Sequence, residues 1–384
     1  MSKGVGTVET QFLTFGSADE PFVTADGGVL TSVTIAYETY GTLNSSRSNA
    51  ILLFHALSGS QHAAGNNPSV PDTDDRWTEE NHLGWWDGFI GAGRALDTSK
   101  YFIICANYLG SCYGSTGPAS IHPATGRPYG SAFPRVTVHD IVRSQLPILE
   151  NFGIDKLHAV VGASLGGMCA LDFAFHFPTR VSNVIPIASG LRAHGLQQMH
   201  NLEQIIAITR DPDFRGGDYY GTPGPVQGLA LARMISHKTF FYADVLEERA
   251  RVDIVQPEID IPWYRISSVL ESYMLYQGQK FVRRFDANSY LRIIDAWQQF
   301  DLFKDAKSAG IHPLLARCTG QHYLVFTIDS DCCFYPDYQS EICLELKKAA
   351  VPHLRLTVHS EKGHDSFLLE PKLFTPHLAY ALGH

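Results

Sequence analysis

Residues 160–168 read VVGASLGGM, an apolar run that breaks at Ser164, with a glycine two positions away on each side. The residues before Ser164 are typical of a buried strand, and the apolar spacing after it indicates a helix that stops at Pro178. A sharp strand-to-helix turn strains the backbone of its central residue, and side chains at Gly162 and Gly166 would collide there. The pattern therefore predicts an elbow that raises the Ser164 hydroxyl above a sheet.

A serine at such an elbow is a nucleophile only if the chain also supplies a base and an acid, because the five-residue pattern can arise by chance in a chain with 33 glycines. One later strand-like run ends beside Asp329 and Asp331, and the last such run leads to His364. We select Asp331 over Asp329 because it lies in the loop just past the strand. Serine, aspartate and histidine then follow in the order of α/β-hydrolases. In this interpretation His364 accepts the Ser164 proton and Asp331 orients the imidazole.

Two backbone amides are candidates for stabilising an oxyanion. Leu165 begins the helix after Ser164, so its amide is free to point at developing negative charge. Leu57 follows the buried apolar run at residues 50–54, at the strand end where such donors lie in open α/β sheets. For the segment around Leu57, an ordinary turn is the alternative.

The arrangement of strand-like and helical runs predicts the fold. Strands are expected at 32–40, 50–54, 101–106, 157–161, 181–188, 323–328 and 353–358, with helices at about 139–152 and 372–382 and irregular structure over 1–30. The first strand alternates as a half-exposed strand does, and Pro186 indicates a sheet edge or a bend. From 190 to 310 the periodicity is helical. We therefore predict an α/β-hydrolase fold with a mostly parallel sheet, a core of 1–189 and 311–384, and a helical lid at 190–310; an independent helical domain is the alternative for that segment.

Composition narrows the classes of partner. The 384 residues carry a formal net charge of −9 without a dense Lys/Arg stripe, which argues against nucleic-acid binding. No window approaches the length of a membrane span, and the amino-terminal residues do not lead into an apolar leader core. Seven scattered cysteines are expected to be reduced thiols, and 17 histidines lack metal-ligand spacing. We expect a cytoplasmic protein that acts on small molecules without a metal or a bound cofactor.

Several longer strings carry a further similarity. They are HALSG at 55–59, GWWDG at 84–88, CYGSTGP at 112–118, GGM at 166–168, GGDYY at 216–220, RFDANSY at 284–290 and GHD at 363–365. With these strings the chain resembles the homoserine O-acetyltransferase branch of the α/β-hydrolases, nearly end to end. The resemblance implies acyl transfer from an acyl-CoA to the hydroxyl of homoserine, through an acyl-Ser164 intermediate, in methionine biosynthesis. It also implies a homodimer built through lid helices.

The resemblance further implies a clamp for the amino acid, with Asp365 near the substrate ammonium and Arg233 paired with its carboxylate. Three departures from the family pattern bear on specificity. Phe240 stands where a tyrosine is usual, and residues 57–62 read LSGSQH where relatives often carry Thr-Gly-Asp, a change that could favour serine as acceptor. Residues 332–334 read CCF and offer no cation for a succinyl carboxylate, which favours an acetyl donor. The alternatives are serine as acceptor, succinyl-CoA as donor, a plain esterase and a catalytically silent scaffold.

Overall fold

The computed structural model describes residues 4–252, 261, 263–305 and 311–383, and a large mixed sheet runs through it. The strands are β1 (Gln11–Phe15), β2 (Phe22–Val23), β3 (Val29–Leu30), β4 (Val33–Tyr40), β5 (Ala50–Phe54), β6 (Phe102–Ala106), β7 (Leu157–Ala163), β8 (Val181–Ile187), β9 (His322–Ile328) and β10 (His353–Val358). Eight of them form one sheet in the order β1-β4-β6-β5-β7-β8-β9-β10, while β2 and β3 pair separately. From β6 to β10 all neighbours are parallel, and β4 and β1 extend the sheet in antiparallel fashion. The predicted fold class is confirmed.

Helices cover this sheet and form a segment beyond it. They are α1 (Val138–Arg143), α2 (Leu146–Asn151), α3 (Leu165–His176), α4 (Gly195–Thr209), α5 (Val226–His237), α6 (Ala243–Val252), α7 (Val269–Arg284), α8 (Ala287–Gln299), α9 (Leu302–Asp305), α10 (Ile311–Ala316), α11 (Pro336–Lys348), α12 (Ser366–Leu369) and α13 (Pro371–Gly383). None of the helices in the described ranges has the length and hydropathy needed to cross a membrane.

The central strands are apolar throughout because both faces of the sheet are covered. In β5, Leu52 and Phe54 point into one hydrophobic core, whereas Ile51 and Leu53 point into a second core on the opposite face. All four side chains are fully buried. Side chains that alternate along one strand thus enter two different cores, and helices cover both faces of the sheet.

Within the predicted lid at 190–310, the described residues form α4 to α9 and contribute no strand to the large sheet. Helix α5 packs between α4 and α7, and α4 also contacts α8. Residues 253–260, 262 and 306–310 of the predicted lid lie outside the described residues. The helical periodicity of this segment is therefore confirmed where it is described, while its role as a lid stays a prediction.

Three local predictions were wrong. Residues 1–30 are not irregular throughout, because β1 pairs with β4. Strand β4 was expected to be half-exposed, but its side chains are largely buried. The single helix predicted near 139–152 is two helices, divided where the Ser144 hydroxyl bonds back to Ile141 and Pro147 starts the second one. For Pro186 the prediction was a sheet edge or a bend, and the bend is confirmed: the strand is flanked on both sides, so it is not an edge, but the chain bends just beyond it at Ala188, where φ is 48°.

The crossing of α3 over the end of β5 gives a test of the fold. A Cβ at Gly166 would lie 2.3 Å from the carbonyl oxygen of Phe54, and neither backbone segment can yield without disturbing the sheet. We expect Gly166→Ala to lower the free energy of unfolding by about 3 kcal/mol or more, measured by urea denaturation. Gly195→Ala is the control, because nothing lies within 4 Å of the added atom, and its effect should stay within about 0.5 kcal/mol. Equal effects of the two substitutions would contradict the packing described here.

Candidate active site

Ser164 occupies the sharp turn between β7 and α3. Its backbone has φ 58° and ψ −125°, a conformation that a non-glycine residue adopts only under strain. A Cβ at Gly162 would lie 2.0 Å from the carbonyl oxygen of Gly166, so both flanking positions require glycine. The Ser164 amide donates to the Ile187 carbonyl at 2.9 Å, and the Ser189 hydroxyl donates to the Ser164 carbonyl at 2.8 Å. These bonds fix the elbow that the sequence predicts.

An aspartate and a histidine form a buried pair beside this elbow. His364 Nδ1 lies 2.7 Å from Asp331 Oδ2, and both side chains are almost completely buried. The other carboxylate oxygen accepts from the amides of Cys333 and Phe334, each at 2.8 Å. Burial disfavours protonation of His364, but the charge and hydrogen bond of Asp331 outweigh it and raise the pKa of the imidazole above its ordinary value. The pair leaves His364 Nε2 as the nitrogen free to face a substrate.

The other candidate acid lies elsewhere. Asp329 Oδ2 contacts His359 Nδ1 at 2.7 Å, and its Oδ1 accepts from the Ser360 amide at 3.2 Å. Its side chain is 42% exposed, whereas that of Asp331 is fully buried. The structure thus brings Asp331, and not Asp329, to His364.

A cavity of about 250 Å³ collects most of the predicted site residues. Those that line it are Ser164, His364, Leu57, Arg233 and Asp365. Asp331 lies behind His364, and Leu165 lies directly after Ser164 at the start of α3. The amides of Leu57 and Leu165 donate to no acceptor among the described residues, so both are available to a ligand.

Two opposite charges face this cavity. The Arg233 guanidinium lies over the rings of Phe240, at 5.1 Å, and Phe281, at 4.9 Å. Burial and the nearby Arg284 lower the pKa of Arg233 to about 10, which leaves it charged at neutral pH. Burial raises the pKa of Asp365 to about 6, partly offset by His364 and Arg233. Within the described part of the chain, neither Arg233 nor Asp365 forms an ion pair closer than 4 Å.

Sequence reasoning missed a second cation in the cavity. Arg284 Nη1 donates to the Ser58 carbonyl at 3.1 Å and contacts the Tyr113 hydroxyl at the same distance. The Tyr113 hydroxyl donates in turn to the Arg284 carbonyl at 2.6 Å. Arg284 therefore joins α7 to the glycine-rich loop at 112–118 and to the loop after β5. The only sequence signal was its place at the start of the RFDANSY string.

A buried contact between a carboxylate and an imidazole supports the loop after β5, and sequence reasoning missed this as well. Glu38 Oε2 lies 2.8 Å from His62 Nδ1, and both side chains are fully buried. The carboxylate also accepts from Thr10, Tyr40 and Asn67, at 2.8, 2.8 and 2.9 Å. Burial alone would raise the pKa of Glu38, but His62, Asn67 and Tyr40 lower it below its ordinary value. Since His62 lines the cavity, the pair fixes the wall that contains Leu57.

Comparisons with known proteins find similar sequences along nearly the whole chain. The family model described as "alpha/beta hydrolase fold" matches residues 49–371. A homoserine O-succinyltransferase of Magnetococcus marinus is 41% identical over 99% of this chain and 94% of its own length. A homoserine O-acetyltransferase of Deferribacter desulfuricans is 43% identical over 95% of this chain and 93% of its own length.

Solved structures include both transferases and esterases. The homoserine O-acetyltransferase from Bacillus anthracis superimposes with a TM-score of 0.84 at 28% identity, covering 98% of each chain. Esterase E22 superimposes with a TM-score of 0.85 at 26% identity, covering 98% of this chain and 100% of its own. Overall shape is therefore common to both activities.

The buried pair beneath the loop after β5 gives a test. Glu38→Gln should destabilise the protein by about 3 kcal/mol at pH 7, because His62 loses its buried partner. The pKa of Glu38 is lower in the folded protein than its ordinary value of 4.5. The ionised carboxylate therefore stabilises the fold above about pH 4.5, and this stabilisation is lost as the pH falls and the carboxylate is protonated. The difference in stability between the variant and the wild type should accordingly shrink below about pH 4.5. Urea denaturation from pH 3.5 to 8 measures both.

The matched control is Glu80→Gln. Glu80 lies 3.0 Å from Lys280 in a partly exposed pair, for which we expect a loss of no more than about 0.5 kcal/mol. A Glu38→Gln effect as small as that of the control, or one that grows as pH falls, would contradict a stabilising role of the Glu38 carboxylate.

Proposed function

The chain belongs to the α/β-hydrolase family and, within it, to the homoserine O-acyltransferases, and on this basis we propose that it transfers an acetyl group from acetyl-CoA to the hydroxyl of L-homoserine. The observation that carries the proposal is the content of one cavity: Ser164 and His364 share it with Arg233 and Asp365. A serine and a histidine suit acyl transfer, and an unpaired cation and anion suit the carboxylate and ammonium of an amino acid.

In the first half-reaction, the Ser164 hydroxyl gives its proton to His364 Nε2 as Oγ attacks the thioester carbonyl. The carbonyl oxygen becomes an oxyanion, which the amides of Leu57 and Leu165 stabilise. The carbon–sulfur bond then breaks, and the CoA thiolate leaves with the proton held by His364. Asp331 keeps the imidazole oriented and stabilises its charged form throughout. The product is acetyl-Ser164.

In the second half-reaction, the homoserine hydroxyl gives its proton to His364 and attacks the acetyl ester. O-acetylhomoserine leaves as Ser164 regains the proton, which completes a ping-pong cycle. In this proposal Arg233 binds the acceptor carboxylate and Asp365 its ammonium group. Because the pKa of Asp365 is raised only to about 6, its carboxylate is ionised at neutral pH. Acetyl-CoA is a substrate here, and the steps use protein groups and substrates alone.

The choice of donor rests on the residues that follow Asp331. Cys332, Cys333 and Phe334 bring no positive charge to the catalytic aspartate, so a second carboxylate on the acyl group would find no partner there. The similar sequences include both acetyl- and succinyltransferases at comparable identity, and they do not decide between the two donors. The uncharged loop supports acetyl-CoA.

Assembly and location belong to the same proposal. Helix α4 exposes an apolar row, and the exposed fractions are 37% for Leu196, 60% for Met199, 52% for Leu202 and 48% for Ile206. Such a row supports a homodimer formed through the lid helices. All seven cysteines are free thiols, which supports a reducing compartment, and we place the enzyme in the cytoplasm, where it would serve methionine biosynthesis.

Hydrolysis is the second candidate, because esterase E22 shares the overall shape. Release of free CoA, followed with a thiol reagent, separates the possibilities when acetyl- or succinyl-CoA is combined with homoserine, serine or no acceptor. We expect turnover with acetyl-CoA to require homoserine. Turnover without any amino acid would point to hydrolysis, turnover with serine alone would refute the acceptor, and a preference for succinyl-CoA would refute the donor.

The nucleophile has a direct test. Ser164→Ala should lower turnover by at least about 10³-fold, and the acetylated protein that mass spectrometry detects in the wild type should disappear. Ser46→Ala, in an exposed loop, is the matched control and should retain both signals. The mechanism would be wrong if the Ser164 variant, correctly folded by circular dichroism, still released CoA at the wild-type rate.

The acceptor clamp predicts a split between the half-reactions. Arg233→Gln should raise KM for homoserine by about 10-fold or more, since a charged hydrogen bond to the carboxylate is lost, and should leave the rate of Ser164 acetylation nearly unchanged. Rapid-quench mass spectrometry measures acetylation without acceptor. Arg283→Gln, an exposed arginine on α7, is the control. An equal loss in both half-reactions would assign Arg233 a structural role instead.

A further inference from the structure

A second cluster of chemically active side chains lies at the far end of the helix that begins after Ser164. Asp172 and His176 are one turn apart on α3, and His139 reaches them from α1. At a rise of about 1.5 Å per residue, His176 is roughly 18 Å from the elbow, so the cluster is separate from the cavity. One ligand atom of each of the three residues lies within 4.8 Å of the other two.

The hydrogen bonds of this cluster are incomplete. Asp172 is 1% exposed, and its Oδ1 contacts His139 Nδ1 at 2.9 Å. Its Oδ2 lies 3.5 Å from His176 Nε2, and both of these buried atoms lack a hydrogen-bond partner among the described residues. A carboxylate oxygen and an imidazole lone pair that face each other repel unless a proton or a metal cation lies between them.

The unpaired Oδ2 of Asp172 faces the unpaired Nε2 of His176. A carboxylate oxygen and an imidazole nitrogen are both ligand atoms for a metal ion, so this pair is suited to share a cation.

The ligand set matches zinc. Two imidazoles and one carboxylate are ligands that Zn²⁺ prefers, and they leave a fourth position for water. The rings of His139 and His176 are 4.2 Å apart and inclined by 46°, and the ligand atoms of the three residues lie within 4.8 Å of one another. Tetrahedral ligands at ordinary zinc distances are about 3.3 Å apart, which side-chain rotation can reach from the present spacing.

Two arginines and one further carboxylate surround the cluster. Arg143 and Arg317 oppose a cation, whereas Asp140 lies 3.5 Å from Arg143 and offsets that arginine. The buried carboxylate of Asp172 supplies the attraction that opposes Arg317. We propose that His139, Asp172 and His176 bind a Zn²⁺ ion that ties α1 to the carboxyl-terminal end of α3. This site goes beyond the sequence-based expectation of no metal, and its role is to brace the helix that carries the nucleophile elbow.

Equilibrium dialysis of the full-length protein, stripped of metal by chelation and free of an affinity tag, tests the site at pH 7.5. We expect one Zn²⁺ per chain, a thermal midpoint raised by at least about 2 °C at saturating metal, and no comparable binding of Mg²⁺ or Ca²⁺. His139→Ala, His176→Ala and Asp172→Asn should each weaken Zn²⁺ binding at least about 10-fold and abolish the midpoint shift. Acyl transfer measured at 25 °C should change little.

The matched control is His312→Ala. The His312 side chain is 54% exposed and lies 3.7 Å from Glu345, with no second imidazole in that ion pair, and its loss should leave Zn²⁺ binding unchanged. The proposal is overturned if the wild type binds no Zn²⁺ at 100-micromolar metal, about the range expected of a weak site. It is equally overturned if the three site variants, shown to be folded by circular dichroism, bind as tightly as the wild type, or if the control loses binding as they do.

Discussion

The strained backbone at Ser164 is the constraint on which the rest of the structure depends. A residue with positive φ costs on the order of 1–3 kcal/mol and persists only where its surroundings determine it fully. Here the surroundings are β5 and β8 on either side of β7, and α3 packed so closely that Gly166 nearly touches the carbonyl of Phe54. The two cores that bury both faces of the sheet supply the packing energy that holds this turn.

Once the elbow is fixed, the parallel sheet determines where the other groups lie. The segments that carry Leu57, Asp331 and His364 follow β5, β9 and β10, and the carboxyl ends of parallel strands share one edge of a sheet. Asp331 and His364 thus meet at 2.7 Å although neither is near Ser164 in sequence. The helical segment then adds Arg233 and Arg284, so the cavity is lined both by groups that follow the strands, including His364 and Asp365, and by two cations from the helices.

Sequence reasoning predicted what local patterns determine and missed what depends on distant contacts. The central strands, the elbow and the order of the candidate triad are readable because buried strands are apolar and turns need particular residues. Strand β1 was missed because its short, exposed sequence forms a strand only by pairing with β4. Glu38 looks like a polar residue on an alternating strand, and only the fold shows that His62 and three other donors surround it. The contact of Arg284 with the Ser58 carbonyl likewise depends on how α7 packs in the fold, and no local sequence pattern shows it.

Backbone contacts connect the two halves of the proposed clamp to each other and to the candidate base. Asp365 directly follows His364 in a single 3-10 turn, so the anion and the base move together. The Asp365 amide donates to the Phe240 carbonyl at 3.0 Å, and Phe240 carries the ring beneath Arg233. The two segments can come this close because Gly363 has φ 67° and no side chain. A Cβ at Gly363 would lie 2.7 Å from the amide nitrogen of Tyr242. The segment that carries the base and Asp365 is thereby joined to the segment that carries the ring beneath Arg233. In the proposed complex, an amino acid bound between the two charges would present its hydroxyl to the ester.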